Sequence, residues 1–330
     1  MTTPQATTLE FKPGERNIFF HLLTACNLSC RHCYINPTQH GAAQVSRATM
    51  EEWLRLFHEP AKETNVIFLG GEPTMHPDLA HGIRYARKLG YETVTVDSNG
   101  YLFHNLLDEI APDEAVISFS LDGPDAATND AIRGQGVFAT CTNGIKEAVA
   151  KGFDVSLIYT VSRMNLRQLA QMVPLLEELG VRRFFIQVIG IRGKSATDSG
   201  QLQLSPEEWL EIVPAVAAQA ARAGIHVIYP KVFLEEGEKF ACGGLATENF
   251  FVFPNGRVYQ CPLCEDFPVH SYEIIDNRLK QRQGLTEENF FGLTIKEGCV
   301  MNKLLQGDNI DYNDDGSPVH RISCCLLKQE

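Results

Sequence analysis

The sequence predicts an α/β protein built on a parallel sheet, and three observations carry that expectation. Short apolar runs rich in Val, Ile and Phe recur between residues 17 and 190. Amphipathic stretches separate them, several closed by Gly, as helices commonly are. The strands read as near-continuous apolar runs, which marks a parallel sheet covered by helical crossovers. Six such units suit a partial (β/α) barrel or an open doubly wound sheet, and in either a ligand belongs at the C-terminal ends of the strands.

Taken in order, NIFFHLL (17–23) is the first strand and TMEEWLRLFHEPAK (49–62) the first helix. NVIFLG (65–70) and PDLAHGIRYARKLG (77–90) form the second unit, TVTVDS (93–98) and FHNLLDEIA (103–111) the third. AVISFSLD (115–122) leads to CTNGIKEAVAKG (141–152), and DVSLIYTV (154–161) to NLRQLAQMVPLLEELG (165–180). RFFIQVIG (183–190) is the sixth strand, followed by the Ser-Pro-opened helix SPEEWLEIVPAVAAQAARAG (205–224) and a short strand, IHVIYP (225–230).

With 330 residues, 44% of them hydrophobic, the chain can bury one large core, or one core with a small appended domain. No run of eighteen apolar residues is present, so no membrane span is expected. The opening MTTPQATTLEFKPGER lacks the basic start and apolar stretch of an export signal, which predicts a cytoplasmic protein. A net charge of −12 without a basic block argues against nucleic acid as a partner.

Ten cysteines in a reducing compartment point to metal or redox chemistry rather than disulfides. Cys26, Cys30 and Cys33 form one group, and Cys242, Cys261, Cys264, Cys299, Cys324 and Cys325 a second. Cys141 stands alone in a helical stretch and reads as a buried small hydrophobe. The first group directly follows the first strand; FLGGEP, DSNG and SFSLDG end the next three, so all four motifs share one rim. Three thiolates from one loop can hold three corners of a four-iron cluster and leave the fourth iron open, whereas zinc sites usually draw on separated pairs. A Cys3His zinc site using His32 or His21 is the alternative.

CNLSCRHCY (26–34) resembles the CxxxCxxC motif of the radical S-adenosylmethionine (radical SAM) superfamily. The likeness extends in family order through GGEP (70–73), SNG (98–100), SLDGP (120–124), IRG (132–134) and IRGKSA (191–196), and so covers residues 15–230. It implies a partial (β/α)6 TIM-like barrel and a [4Fe-4S] cluster on Cys26, Cys30 and Cys33 whose open iron chelates S-adenosylmethionine. By the same resemblance Gly70, Gly71 and Glu72 contact the amino group of S-adenosylmethionine, and Ser120 and Asp122, two apart on one strand face, contact the cofactor or substrate. Arg133 is the candidate for its carboxylate. Gly193, with Gly190, admits the adenine, and Asn99 joins the cofactor contacts, against the plainer reading of SNG as a strand-ending turn. His32 departs from the family, which usually has another aromatic residue before the last cysteine. No catalytic residue is assigned beyond the cluster.

Residues 231–330 form the expected second domain. Cys242, Gly256 in a PNG turn, Cys261 and Cys264 read as a hairpin that resembles the opening of the SPASM and twitch extensions, which carry auxiliary clusters. Six thiols suffice for one fully ligated cluster, so one auxiliary [4Fe-4S] is expected on Cys242, Cys261, Cys264 and one of Cys299, Cys324 or Cys325, with two three-coordinate clusters as an alternative. A zinc ribbon is the alternative. The resemblance implies an enzyme, an oxidoreductase or maturase, that draws electrons from an external flavodoxin- or ferredoxin-type donor. Its 5′-deoxyadenosyl radical would abstract hydrogen from a peptide or protein side chain, or alternatively from a tetrapyrrole or other small molecule. An iron–sulfur electron carrier or a zinc-stabilised binding module is the non-enzymatic alternative.

Overall fold

A computed structural model describes residues 6–196, 202–266 and 269–330. Seven parallel strands run in chain order: β1 (Glu15–His21), β2 (Glu63–Leu69), β3 (Val94–Ser98), β4 (Val116–Ser120), β5 (Val155–Val161), β6 (Arg183–Val188) and β7 (His226–Pro230). An eighth, β8 (Glu248–Val252), lies parallel to β1 on its other side. The sheet stays open: β9 (Arg257–Tyr259), β10 (Tyr272–Ile275) and β11 (Arg278–Gln281) extend one edge antiparallel, and Lys328–Gln329 and Thr8–Leu9 extend the other. This is the partial barrel expected from the resemblance; the expected short strand IHVIYP forms β7, and β8, from the C-terminal hairpin, is an eighth parallel strand.

Helices cover the outer face. They are α1 (Arg47–Phe57), α2 (Leu79–Leu89), α3 (Ala126–Arg133), α4 (Val137–Ala150), α5 (Met172–Leu179) and α6 (Pro206–Arg222). Local chemistry sets their ends: Ser46 accepts from Thr49 N at 3.1 Å, Ser205 and Glu208 form a capping box, and Gly90 and Gly180 close α2 and α5 at positive φ. The core between these layers holds Phe20, Phe68, Val96, Phe119, Tyr159 and Ile186, each almost fully buried.

The opposite strand faces look into the barrel. At its N-terminal end a polar ladder crosses four strands: Asn17 Nδ2 donates to Asn249 at 3.2 Å, Asn65 Nδ2 to Asn17 at 3.1 Å, and Thr93 Oγ1 to Asn65 at 2.7 Å. One layer above, Phe19 stacks on Phe251 with centroids 4.4 Å apart. These pairs hold β8 against β1, so the C-terminal segment grows from the same sheet as the barrel. The PNG hairpin forms as expected, with Val258 opposite Val252 and Gly256 at φ +85°. A second apolar core, including Phe253, Tyr259 and Met301, packs around the C-terminal cysteines.

Two helix readings change. Helix α3 lies between SLDGP and the end of IRG, where no helix was expected, and is started by Asp125 accepting from Thr128 N at 2.8 Å. Helix α4 begins at Val137, so Cys141 sits inside it, fully buried, rather than at its start.

Candidate active site

The loop carrying Cys26, Cys30 and Cys33 leaves the C-terminal end of β1, and the following segments hold it from several sides. Gly71 N donates to Leu23 O at 2.9 Å, and Glu72 N to Ala25 O at 3.0 Å. Arg31 N donates to Ile132 O at 3.0 Å, and Lys194 N to Cys33 O at 2.8 Å. All three cysteines are partly exposed and free. Two donors already face Cys26 Sγ: Leu28 N at 3.3 Å and Asn99 Nδ2 at 3.7 Å.

The glycines expected to adjoin a ligand also make room for this loop. A Cβ at Gly70 would stand 2.3 Å from Leu23 O, at Gly71 2.0 Å from Ala25 O, and at Gly193 2.5 Å from Cys33 O. Gly193 also has φ +57°. Each contact is backbone on backbone and cannot yield by a side-chain rotation. We expect Gly71→Ala to push the loop away and lower the iron bound per chain, with the helical circular dichroism kept; an unchanged iron content would show the packing to be unimportant.

Glu72 is nearly inaccessible, and both its carboxylate oxygens are engaged within the protein. Oε1 accepts from Thr74 N at 3.1 Å, Thr74 Oγ1 at 2.6 Å and Ser98 Oγ at 2.9 Å, and Oε2 accepts from Asn99 N at 2.7 Å. Burial raises its pKa against these bonds. The carboxylate therefore joins the ends of β2 and β3.

Asp122 and Arg133 also meet each other. Arg133 Nε lies 2.6 Å from Asp122 Oδ2, and His32 Nε2 lies 2.7 Å from the same oxygen, while Oδ1 accepts from Thr160 N at 2.8 Å. Burial alone would raise the Asp122 pKa, but Arg133 and His32 overrule it and hold it at about 2. Ser120 and Asp122 do not share an environment: Ser120 ends β4 half-buried, while Asp122 is fully enclosed beyond it. Asp122 thus ties the cysteine loop, through His32, to α3, through Arg133.

The sequence reading missed Asp97. The alternation of β3 places it on the barrel-facing side with Thr95, hydrogen-bonded to Ser118, and burial pushes its pKa up to about 7. The alternating pattern of VTVDS was the available signal.

The donor set suits a cluster. Burial pushes the Cys26 thiol up to about 11 and raises Cys30 as well, so bound iron, which binds thiolates, would displace their protons. His32 Nδ1, between Cys30 and Cys33, is buried with no protein partner. Among the described residues no three His, Cys, Asp or Glu side chains converge on a single-ion site. A cubane sets its thiolates farther apart than one ion does.

In the C-terminal segment the thiols of Cys242, Cys261, Cys299 and Cys324 lie close enough that each interacts with the other three. Cys264 sits beside Cys261 and hydrogen-bonds Glu287, a carboxylate buried to 0% exposure that also accepts from Gln260 N and from Cys261 N at 3.0 Å. Burial raises Glu287 to about 7. Cys325 neighbours Cys324 and Cys261.

Residues 21–176 match the model of the Radical SAM superfamily. The chain is 30% identical over 205 residues to the AdoMet-dependent heme synthase of Oleidesulfovibrio alaskensis, covering 61% of this chain and 52% of the relative. It is 29% identical to the PqqA peptide cyclase of Ruegeria pomeroyi, covering 79% of this chain and 71% of that one. The chain thus spans about half the length of the first of these relatives. The solved structure of anSMEcpe with bound AdoMet has the same fold, with a TM-score of 0.65 over 93% of each chain at 13% identity. The rim, its cysteine loop and these likenesses agree: residues 21–176 of this chain are a domain of the Radical SAM superfamily.

Proposed function

We propose that this protein is a radical SAM enzyme that abstracts hydrogen from a peptide or protein side chain, and that Cys26, Cys30 and Cys33 hold a [4Fe-4S] cluster. The observation that carries this reading is the loop itself: three free thiols at the strand-end rim, packed against three glycines, with two N–H donors on Cys26 Sγ. When bound, the cluster supplies reductive cleavage of S-adenosylmethionine to a 5′-deoxyadenosyl radical, with electrons from an external flavodoxin- or ferredoxin-type donor.

This chain's residues position and enclose. Asn99 spans from Glu72 to the cysteine loop, where its Nδ2 reaches Asn27 Oδ1 at 2.8 Å. Arg133 is neutralised at one nitrogen by Asp122, and the rest of its guanidinium is the group we assign to the carboxylate of S-adenosylmethionine. Asp97 can hold or release a proton inside the barrel near neutral pH. Ser120 ends β4 and Gly190 follows β6, on the same rim with β5 between them.

We infer one auxiliary [4Fe-4S] cluster on Cys242, Cys261, Cys299 and Cys324, because Cys264 is engaged by the buried Glu287. Cys264 then serves Glu287, and Cys325, hydrogen-bonded to Cys324, is the remaining thiol. Replacing any one of the four by Ala is expected to reduce about eight irons per chain towards about four, while Cys264→Ala and Cys325→Ala keep close to eight. Loss of four irons in Cys264→Ala would reassign the ligand.

A peptide substrate is supported by the likeness to a peptide cyclase over 79% of the chain. Coverage does not separate it from the tetrapyrrole reading, since the Fe-coproporphyrin III synthase of Methanosarcina barkeri is 29% identical over 88% of the chain. The experiment is anaerobic incubation with S-adenosylmethionine and dithionite: 5′-deoxyadenosine should form, and a fully iron-loaded protein that leaves S-adenosylmethionine intact would reject the enzyme.

A further inference from the structure

A cavity of about 290 Å³ opens where the C-terminal ends of β5, β6 and β7 meet the C-terminal segment. Gly190 lines one wall, three residues before Gly193 presses on the Cys33 carbonyl. Ser323 and Cys325, which flank Cys324, line another. The cavity therefore lies between the two cysteine groups, and of its walls only Gly190 belongs to the cofactor assignments.

Its walls are largely apolar, with Val161, Val188, Ile189, Trp209, Phe233 and Ile322 among them. Two wall atoms, Ser323 Oγ and Asn302 Oδ1, are nevertheless buried without any hydrogen-bond partner. Ser323 is only 3% exposed. An unsatisfied buried polar atom costs roughly 1–3 kcal/mol, so both atoms suit a ligand that brings the missing partners. Asn302 Oδ1 needs an N–H, and the Ser323 hydroxyl can donate to a C=O. A peptide group carries both.

Charge narrows the ligand further. Arg163 is the cation among the lining residues and is 3.5 Å from Glu208, while Asp308 and Asp311 add negative charge. A ligand with several carboxylates, as a tetrapyrrole bears, would meet one cation, already paired with Glu208, and two aspartates. The volume is also at the small end of ligand sites, which run from roughly 300 to 1,000 Å³.

We infer that this cavity receives one apolar side chain of a peptide substrate, with an adjoining peptide group bonded to Asn302 Oδ1 and Ser323 Oγ. The inference rests on the reading of the chain as a peptide-modifying radical SAM enzyme and names where such a substrate sits.

The test is anaerobic equilibrium dialysis of the full chain, purified with its clusters, against acetyl-Gly-X-Gly-amide peptides with X as Leu, Phe or Asp, and against an iron porphyrin bearing four carboxylates. The Leu and Phe peptides should bind at least about tenfold more tightly than the Asp peptide. Asn302→Ala and Ser323→Ala should each weaken them about tenfold, and Val188→Trp, which fills the cavity, should abolish binding. Unchanged circular dichroism and iron content establish that each variant is folded. Apolar peptides that bind no better than the Asp peptide, or not at all, overturn the inference. Peptides that bind equally well to all three variants overturn the cavity assignment and leave the peptide reading standing. Porphyrin binding that the variants weaken overturns both.

Discussion

The triple variant Cys26→Ala, Cys30→Ala, Cys33→Ala should make no detectable 5′-deoxyadenosine from S-adenosylmethionine and dithionite, while keeping about four of about eight irons. The reason lies in what surrounds the loop. Its thiols are the donors the rim offers, and the one other cysteine in the barrel, Cys141, is fully buried inside α4 with its Sγ 3.6 Å from Ser120 O. Nothing at the rim can substitute for the lost thiolates. The C-terminal cysteines sit in a separate apolar core and should retain their own cluster. Cys141→Ala is the control: it should keep both the iron and the activity. Iron and sulfide analysis beside product chromatography checks the prediction, and product formed by the triple variant would remove the loop from the chemistry.

Asp122→Ala should destabilise the fold by about 3–5 kcal/mol, the cost typical of leaving a buried charge without its partner. Asp122 is 0% exposed and Arg133 7%, and the two meet at 2.6 Å, so the substitution strands a guanidinium in the interior. It also frees His32 and the amide of Thr160. Urea unfolding under anaerobic conditions measures the loss. Asp122 makes a separate contribution to acid sensitivity. Its pKa is depressed in the folded chain from 3.8 to about 2, so the stability it provides is fully present above pH 4 and is lost as pH falls towards 2. That contribution is about 2 kcal/mol. Asp122→Ala should therefore show a shallower loss of stability over this range than the wild type. Equal slopes would show that the Arg133 and His32 contacts do not hold the carboxylate.

Much of this site could be read from residues alone, because parallel strands and rim motifs leave strong local signals. Each of the six expected strands lies within about two residues of its place, since buried runs such as NVIFLG and DVSLIYTV admit few other conformations. Helix α3 escaped because ATNDAIR has too short an apolar pattern, and its start depends on the Asp125 cap. The roles of Glu72, Gly71 and Gly193 were less legible for another reason. A carboxylate or a glycine beside a cofactor motif looks the same in sequence whether it faces a ligand or braces the loop that does. Long-range contacts decide that, as with Glu72 and Asn99 across 27 positions. How the cysteines from Cys242 to Cys325 gather depends on long-range folding, which spacing along the chain does not determine.

The most direct test of the central claim is the electron paramagnetic resonance spectrum of the dithionite-reduced chain carrying Cys242→Ala and Cys299→Ala, recorded with and without S-adenosylmethionine. The cluster on Cys26, Cys30 and Cys33 should remain, and its g-values should shift when S-adenosylmethionine occupies the open iron. A reduced cluster whose spectrum S-adenosylmethionine leaves unchanged would contradict the account.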